Sequence, residues 1–219
     1  MLDAPRPLTV CHRGASALAA ENSLEAFRVA MEHSVDFSEL DVHRARGGDG
    51  ELVVTHDPVL DAALESALPR LSEVLELVRG RMGIYVELKG DHTGQALGEL
   101  IRRGAADGAR LISGSAMLEL VAELRAAAPE VPRSILFTRG WDLQSMITVC
   151  GELAATYAHP CFRPVERSMI DAFHEVGLLV MTPHTNDAAE ARYFAEIGVD
   201  VIASDDPRIV GPLRTLRRP

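Results

Sequence analysis

Short apolar runs typical of buried strands alternate along the chain with amphipathic stretches, and this alternation restricts the fold more than any other feature. Alternating strands and helices form βα units, whose strands pair in parallel. One of the runs, Leu52–Thr55, is a short extra strand, and the main runs number about eight, which is the number that closes a (β/α)8 TIM barrel. We therefore predict one barrel domain over residues 1–219, with strands at Leu8–Cys11, Phe37–Val42, Leu52–Thr55, Ile84–Leu88, Arg110–Ile112, Ser134–Phe137, Ala154–Tyr157, Leu178–Met181 and Val201–Ala203.

Helix signals support the same α/β class. One helix is predicted to begin at Asn22 or Ser23, and another covers Leu71–Val78. The segment Gly47–Gly50 predicts an acidic, glycine-rich turn. An open doubly wound sheet is the alternative fold, but the turn after the first strand lacks the G-x-G-x-x-G that binds a dinucleotide.

Charge and cysteine usage exclude several classes of protein. The net charge is -10 and no run of Lys and Arg occurs, which argues against nucleic acid as a partner. Cys11, Cys150 and Cys161 show no C-x-x-C spacing, so neither a disulfide framework nor a zinc site is indicated. We expect a cytoplasmic protein without stable membrane insertion, because no secretory signal or membrane-length apolar run occurs. The oligomeric state is left open.

Polar side chains cluster where the apolar runs end. In a β/α barrel, reactive groups project from the carboxyl ends of the strands. Such groups follow the first, second, extra and third main strands, namely His12, Arg13, Glu39, Asp41, His56, Glu87 and Lys89. The clustering predicts an active site at that end of the barrel.

The acidic residues of this cluster indicate a metal. Glu39 and Asp41 are two positions apart on one strand, so both face the barrel interior, and Glu87 on the neighbouring strand adds a third acid. Burying these charges together is costly unless a cation compensates. Oxygen ligands favour Mg²⁺ or Ca²⁺. The alternative is a metal-free network in which Arg13 and Lys89 pair with the acids.

The remaining polar residues suit phosphoryl chemistry on a small-molecule phosphodiester. Imidazole transfers protons near neutral pH, so His12 and His56 are candidates for general acid and general base. Arg13 and Lys89 supply positive charge for a phosphate, or act as counter-ions alone.

These residues resemble the signature of the glycerophosphodiester phosphodiesterases. The resemblance covers His12-Arg13-Gly14, Glu21-Asn22-Ser23, Glu39-Leu40-Asp41-Val42, Asp49-Gly50 and Val53 to His56-Asp57. It continues through Leu68 to Leu75, Glu87-Leu88-Lys89 and Gly198-Val199-Asp200 with Ser204-Asp205-Asp206-Pro207. The match therefore extends to both ends of the chain.

The resemblance implies a barrel that hydrolyses glycerophosphodiesters to glycerol phosphate and an alcohol. It implies a metal held by Glu39, Asp41 and Glu87, and acid–base catalysis by His12 and His56. Arg13 and Lys89 match positions expected to bind the phosphate. Glu21 and Asn22 match residues that support the mouth, although a helix cap accounts equally well for Asn22.

Two departures from the family pattern leave the substrate open. The link between Asp57 and Leu68 is short where the family carries an insertion, and the family's W-T-V-N is replaced by Met181 to Asn186, which brings in His184. A lysophospholipid or a specialised metabolite is therefore an alternative substrate. A substrate hydroxyl could also replace water as nucleophile and give a cyclic phosphate. The alternative from another class is a non-catalytic phosphate-binding barrel, and Trp141 is left without a role.

Overall fold

A closed parallel barrel confirms the predicted fold. The computed structural model describes residues 6–46 and 50–216. Within these ranges the parallel strands are β1 (Leu8–Cys11), β2 (Phe37–Arg44), β4 (Gly83–Leu88), β5 (Leu111–Ser115), β6 (Arg133–Phe137), β7 (Tyr157–Pro160), β8 (Leu179–Val180) and β9 (Val201–Ser204). These eight strands form one sheet in the order β8-β7-β6-β5-β4-β2-β1-β9, and a bridge between Met181 and Val201 joins β8 to β9.

The predicted extra strand is present and pairs differently from the others. Strand β3 (Leu52–Val54) is antiparallel to the end of β2, with Val42 opposite Val54. The short link that follows β3 contains a small helix, α2 (Ala62–Ser66), which Asp61 caps at its amino end. Residues Gly47, Gly48 and Asp49 of the predicted turn lie outside the described residues.

Helices separate the strands and bury their apolar faces against the outside of the barrel. Ser23, not Asn22, caps α1: its hydroxyl accepts a hydrogen bond from the Ala26 N–H. The helices are α1 (Leu24–Glu32), α2, α3 (Leu71–Val78), α4 (Thr93–Arg102), α5 (Leu118–Ala127), α6 (Leu143–Glu152), α7 (Arg167–Glu175), α8 (Ala188–Glu196) and α9 (Pro207–Val210), with a 3-10 turn at Gly211–Thr215. No helix of the described part of the chain is both long and apolar enough to cross a bilayer.

The core has two layers because successive strand residues face opposite sides of the sheet. The outer layer packs strands against helices. The inner layer fills the barrel with residues from every parallel strand: Val10, Phe37, Tyr85, Ile112, Leu136, Tyr157, Leu179, Met181 and Val201. Gly83 belongs to this arrangement, since a Cβ there would lie 2.3 Å from the Phe37 ring. The inner layer forms the floor beneath the polar residues.

One predicted strand was displaced. The strand expected at Ala154–Tyr157 begins instead at Tyr157 and ends at Pro160. Ala154 has φ 49°, a left-handed conformation that ends the preceding helical segment rather than beginning a strand. A strand therefore follows in this part of the chain as predicted, but the first residues assigned to it belong to the preceding turn.

Candidate active site

The acidic trio, defined as Glu39, Asp41 and Glu87, lies together at the carboxyl end of the barrel strands. Asp41 on β2 is directly opposite Glu87 on β4. Glu39 is two residues before Asp41 and therefore faces the same side. Each acid contributes one carboxylate oxygen to a set whose members all lie within 4.8 Å of one another. The predicted convergence of the trio is present.

Two cations and an amide surround this trio. Lys89 Nζ lies 2.7 Å from Glu87 Oε1 and 3.2 Å from Asp41 Oδ1. Arg13 Nε lies 3.2 Å from Asp41 Oδ2, although its angle is not that of a hydrogen bond. Asn22 donates from Nδ2 to Asp41 Oδ2 at 3.1 Å. Asp41 is thus neutralised and held in place by three neighbours.

Asn22 and Glu21 reach the site through the loop before α1. Asn22 is buried with φ 54°, and its Oδ1 also accepts from the Asp41 backbone N–H. Asn22 therefore serves to hold Asp41 in place and does not cap the helix. Glu21 accepts from Arg13 Nη1 at 3.1 Å and so steadies that guanidinium at the rim of the site.

Glu39 is the least compensated acid. Its Oε2 accepts from the Arg13 backbone N–H at 2.8 Å, but its Oε1 is buried and has no hydrogen-bond partner among the described residues. Burial, followed by repulsion from Asp41 and Glu87, raises the pKa of Glu39 well above its usual value. A buried oxygen of this kind normally has a partner.

Net charge points to the missing partner. When all three acids are ionised, they exceed the two cations Arg13 and Lys89 by one negative charge, beside the Glu39 oxygen that has no partner among the described residues. A divalent cation would change the net charge of this group from minus one to plus one, and a site with one positive charge attracts a phosphodiester with one negative charge. The oxygen-only donor set suits Mg²⁺ or Ca²⁺. The residues present therefore fit a divalent metal.

Closure of the barrel supplies His12 with a partner that sequence reasoning missed. Cys11 pairs with Ser204 in the register of β1 and β9, so His12 and Asp205 are the next facing pair. His12 Nδ1 lies 2.7 Å from Asp205 Oδ1, and this bond lowers the pKa of Asp205 below its usual range. An ionised carboxylate only accepts hydrogen bonds, so Nδ1 carries the proton. The opposite nitrogen, Nε2, lies 4.0 Å from Glu39 Oε2.

Asp205 is in turn held by Asn186 from the loop after β8. Asn186 Nδ2 donates to Asp205 Oδ2 at 2.6 Å, and Asn186 Oδ1 accepts from the Asp205 N–H at 3.0 Å. The segment Ser204-Asp205-Asp206-Pro207 was visible in the sequence as part of the family pattern. That match was the available signal for Asp205.

His56 lies at the same end of the barrel as His12. The Gly14 N–H donates to Glu39 O and the Thr55 N–H donates to Asp41 O. Carbonyls two residues apart face the same edge of a strand, about 7 Å apart. The loops that carry His12 and His56 are therefore neighbours along one edge of β2.

The surroundings of His56 are more open than those of His12. Its Nδ1 lies 2.9 Å from Asp57 Oδ1, and its side chain is 38% exposed compared with 21% for His12. Its backbone carbonyl lies 3.0 Å from Nε2 of His43. His56 is thus held at the rim, beside its own carboxylate.

A cavity of about 350 Å³ opens beside the trio. Its polar wall includes His12, Glu39, Glu87, His159 and His184, and its floor is the apolar inner layer of the barrel. Burial lowers the pKa of His159 to about 4, so this ring is neutral. The volume suits a small molecule.

Trp141 is not among the lining residues; its ring packs edge-on against Phe137 at 5.3 Å.

A second group, His12, His184 and Asp205, also has ligand-type atoms within 4.8 Å of one another. The two imidazoles are stacked, with centroids 4.1 Å apart and planes 9° apart. Ring nitrogens bind metals in the plane of the ring, and the in-plane lone pairs of parallel rings do not converge. The stacked pair is therefore unsuited to holding one ion.

Comparison with known proteins agrees with this geometry. Residues 12–79 match the family model described as "Glycerophosphoryl diester phosphodiesterase family". YhdW of Bacillus subtilis (strain 168) is 25% identical over 92% of this chain and 95% of its own length.

Two solved structures extend the comparison. The crystal structure of a glycerophosphodiester phosphodiesterase from Agrobacterium tumefaciens str. C58 is 28% identical, covers 94% of this chain and 99% of its own, and has a TM-score of 0.75. An Oleispira antarctica phosphodiesterase, solved with the product sn-glycerol-3-phosphate, covers 95% of this chain and 96% of its own at 21% identity, with a TM-score of 0.81.

Proposed function

We propose that this chain belongs to the glycerophosphoryl diester phosphodiesterase family and that it hydrolyses glycerophosphodiesters to glycerol phosphate and an alcohol in a metal-dependent reaction. The observation that carries the metal dependence is the buried Oε1 of Glu39, which has no hydrogen-bond partner in residues 6–46 and 50–216 and lies beside two further acids. The sn-glycerol-3-phosphate bound to the Oleispira antarctica enzyme supports the substrate class.

Glu39, Asp41 and Glu87 would hold the metal, which we propose to be Mg²⁺ or Ca²⁺. When bound, such an ion neutralises charge that develops on the phosphate oxygens. Asn22 orients Asp41, and the Arg13 backbone N–H orients Glu39, so both carboxylates are fixed before any ligand arrives. Preorganised groups of this kind lose little free energy when the substrate binds.

Arg13 and Lys89 bind the phosphate in this proposal. In the structure both cations are engaged with acids of the trio. If a metal bound those acids, the Arg13 guanidinium and the Lys89 ammonium would be freed from their ion pairs with the trio and could bind the phosphate oxygens of the substrate. Glu21 limits the freedom of the Arg13 guanidinium and so keeps it directed at the rim.

His12 and His56 transfer the protons. Asp205 keeps the His12 Nδ1 protonated, so the free Nε2 is the atom that exchanges a proton with the substrate. Asp57 plays the corresponding part for His56. Because the two rings follow neighbouring positions along β2, they can act on the entering and leaving oxygens of one phosphorus.

Hydrolysis of glycerophosphocholine with added Mg²⁺ or Ca²⁺ tests the proposal. We expect glycerol phosphate as the product, with activity abolished by a chelator and restored by excess metal. Phosphorus NMR during turnover distinguishes direct hydrolysis from a cyclic phosphate. Activity that survives exhaustive chelation would contradict metal dependence, and turnover of a lysophospholipid alone would move the substrate to that class.

A further inference from the structure

The loop after β8 places the His184 ring flat against the His12 ring. The ring centroids are 4.1 Å apart and the planes differ by 9°. Both rings line the same cavity. His12 is therefore restrained on one face by an aromatic ring and at Nδ1 by Asp205, 2.7 Å away.

The same loop provides both restraints. Its backbone is anchored to β9, since the Thr185 N–H donates to Ala203 O at 2.9 Å. The carbonyl of His184 accepts from Arg163 Nη2 at 3.1 Å. One residue further than Thr185, Asn186 holds the carboxylate of Asp205. A single anchored segment thus fixes the stacked ring and the hydrogen-bonded acid.

The two restraints together fix the orientation of the His12 ring, which the hydrogen bond alone does not. A hydrogen bond to Nδ1 fixes one atom of the imidazole, but the ring can still tilt about that bond. Proton transfer requires Nε2 within about 2.6–3.2 Å of the reacting oxygen. A displacement of about 1 Å can cost about 100-fold in rate. A flat neighbour resists tilting, because tilting would break the stacked contact.

Charge permits the stack to persist through a proton transfer. His184 faces His12, Asp205, Arg13, Arg163 and His159, and burial followed by the proximity of His12 lowers its pKa, while Asp205 opposes this. Two positively charged rings with centroids 4.1 Å apart would repel each other. The lowered pKa of His184 favours its neutral form when His12 carries the extra proton.

We propose that His184 is a positioning residue that holds the plane of His12 for proton transfer. This inference rests on the proposed function, in which His12 exchanges a proton with the substrate. His184 acts here through its flat surface, so an aromatic ring without nitrogen would replace it.

The test compares His184→Ala with His184→Phe in the full chain with Mg²⁺, using bis(p-nitrophenyl) phosphate. We expect the alanine variant to lose about 10- to 100-fold in kcat with little change in KM, because His12 is misplaced rather than removed. The phenylalanine variant should retain kcat within about 3-fold, because it restores the stacked surface. Equal thermal unfolding of both variants would separate this effect from misfolding.

Proton NMR of the His12 Nδ1–H gives a readout that does not need turnover. In the wild type and in His184→Phe we expect one sharp low-field resonance, and in His184→Ala a broadened one. If no diester is hydrolysed, the proposed function fails while this measurement still decides the role of His184. Wild-type kcat and an unchanged resonance in His184→Ala would overturn the inference. So would a phenylalanine variant as slow as the alanine variant with a raised KM, since that would make His184 a substrate contact.

Discussion

Replacement of His12 by alanine is expected to lower kcat by about two to four orders of magnitude, the usual contribution of a general acid or base. His12 Nε2 lies at the wall of the cavity beside Glu39, and Asp205 keeps the opposite nitrogen protonated. His56→Ala should show a similar loss. Steady-state kinetics on both variants and the wild type measures the two losses.

A second histidine–aspartate pair provides the matched control. His174 Nε2 lies 2.7 Å from Asp200 Oδ2, a distance equal to that between His12 and Asp205. Asp200 precedes β9, at the end of the barrel opposite the trio. His174→Ala should therefore keep wild-type kcat even if it lowers the melting temperature. Full activity in His12→Ala, or an equal loss of kcat in His174→Ala, would contradict the assigned role.

The parts of this site that were predictable depend on local pattern and strand order. Glu39 and Asp41 share a face because they are two residues apart on one strand, and this follows from any extended backbone. Glu87 joins them because β2 and β4 are parallel and in register. Both facts require only the correct assignment of two strands as neighbours.

The partners of His12 required closure of the whole barrel. Asp205 is 193 residues away in the chain and meets His12 only because β9 pairs with β1. His184 depends on a loop whose backbone is fixed by Ala203 and Arg163. Neither contact follows from periodicity. The displaced start of β7 has a local cause instead: Ala154 is left-handed and ends the helical segment of α6, where the Ala155 N–H donates to Cys150 O.

Glu39→Gln is expected to change activity and stability in opposite directions. The variant loses a proposed metal ligand, so turnover should fall by about three orders of magnitude, as expected for losing several kcal/mol of charge stabilisation. In the presence of a chelator, however, the variant should be more stable than the wild type. The uncharged amide relieves repulsion in a buried site where one Glu39 oxygen has no hydrogen-bond partner within the described part of the chain.

The expected gain is about 1–3 kcal/mol, because desolvating an unsatisfied buried carboxylate costs more free energy than desolvating the neutral amide that replaces it. For a domain of this size that is a rise in melting temperature of about 2–4 °C per kcal/mol. The wild type should regain this difference when Mg²⁺ or Ca²⁺ is added, whereas the variant should not respond. Differential scanning calorimetry with and without metal measures both effects.

The pH dependence of unfolding is a second test of whether Glu39→Gln stabilises the metal-free protein. Burial and the neighbouring acids raise the pKa of Glu39 in the folded state. Its protonated form therefore stabilises the metal-free protein below the unfolded pKa of about 4.3, and this contribution is lost as pH rises through the raised folded pKa. Glu39→Gln should remove that loss, so the stability gain of the variant grows toward neutral pH.

Asp36 is the contrasting buried acid on the same segment of chain. Burial opposes its ionisation, but hydrogen bonds from Arg6 and Thr9 outweigh burial and lower its pKa. Its ionised form stabilises the fold above the unfolded pKa, and that contribution is lost as pH falls. Asp36→Asn should therefore destabilise the protein at neutral pH, without any metal dependence, while Glu39→Gln stabilises it. If both variants were destabilised equally in the presence of a chelator, Glu39 would have to be compensated by the protein itself, and the argument for a cation among the three acids would fail.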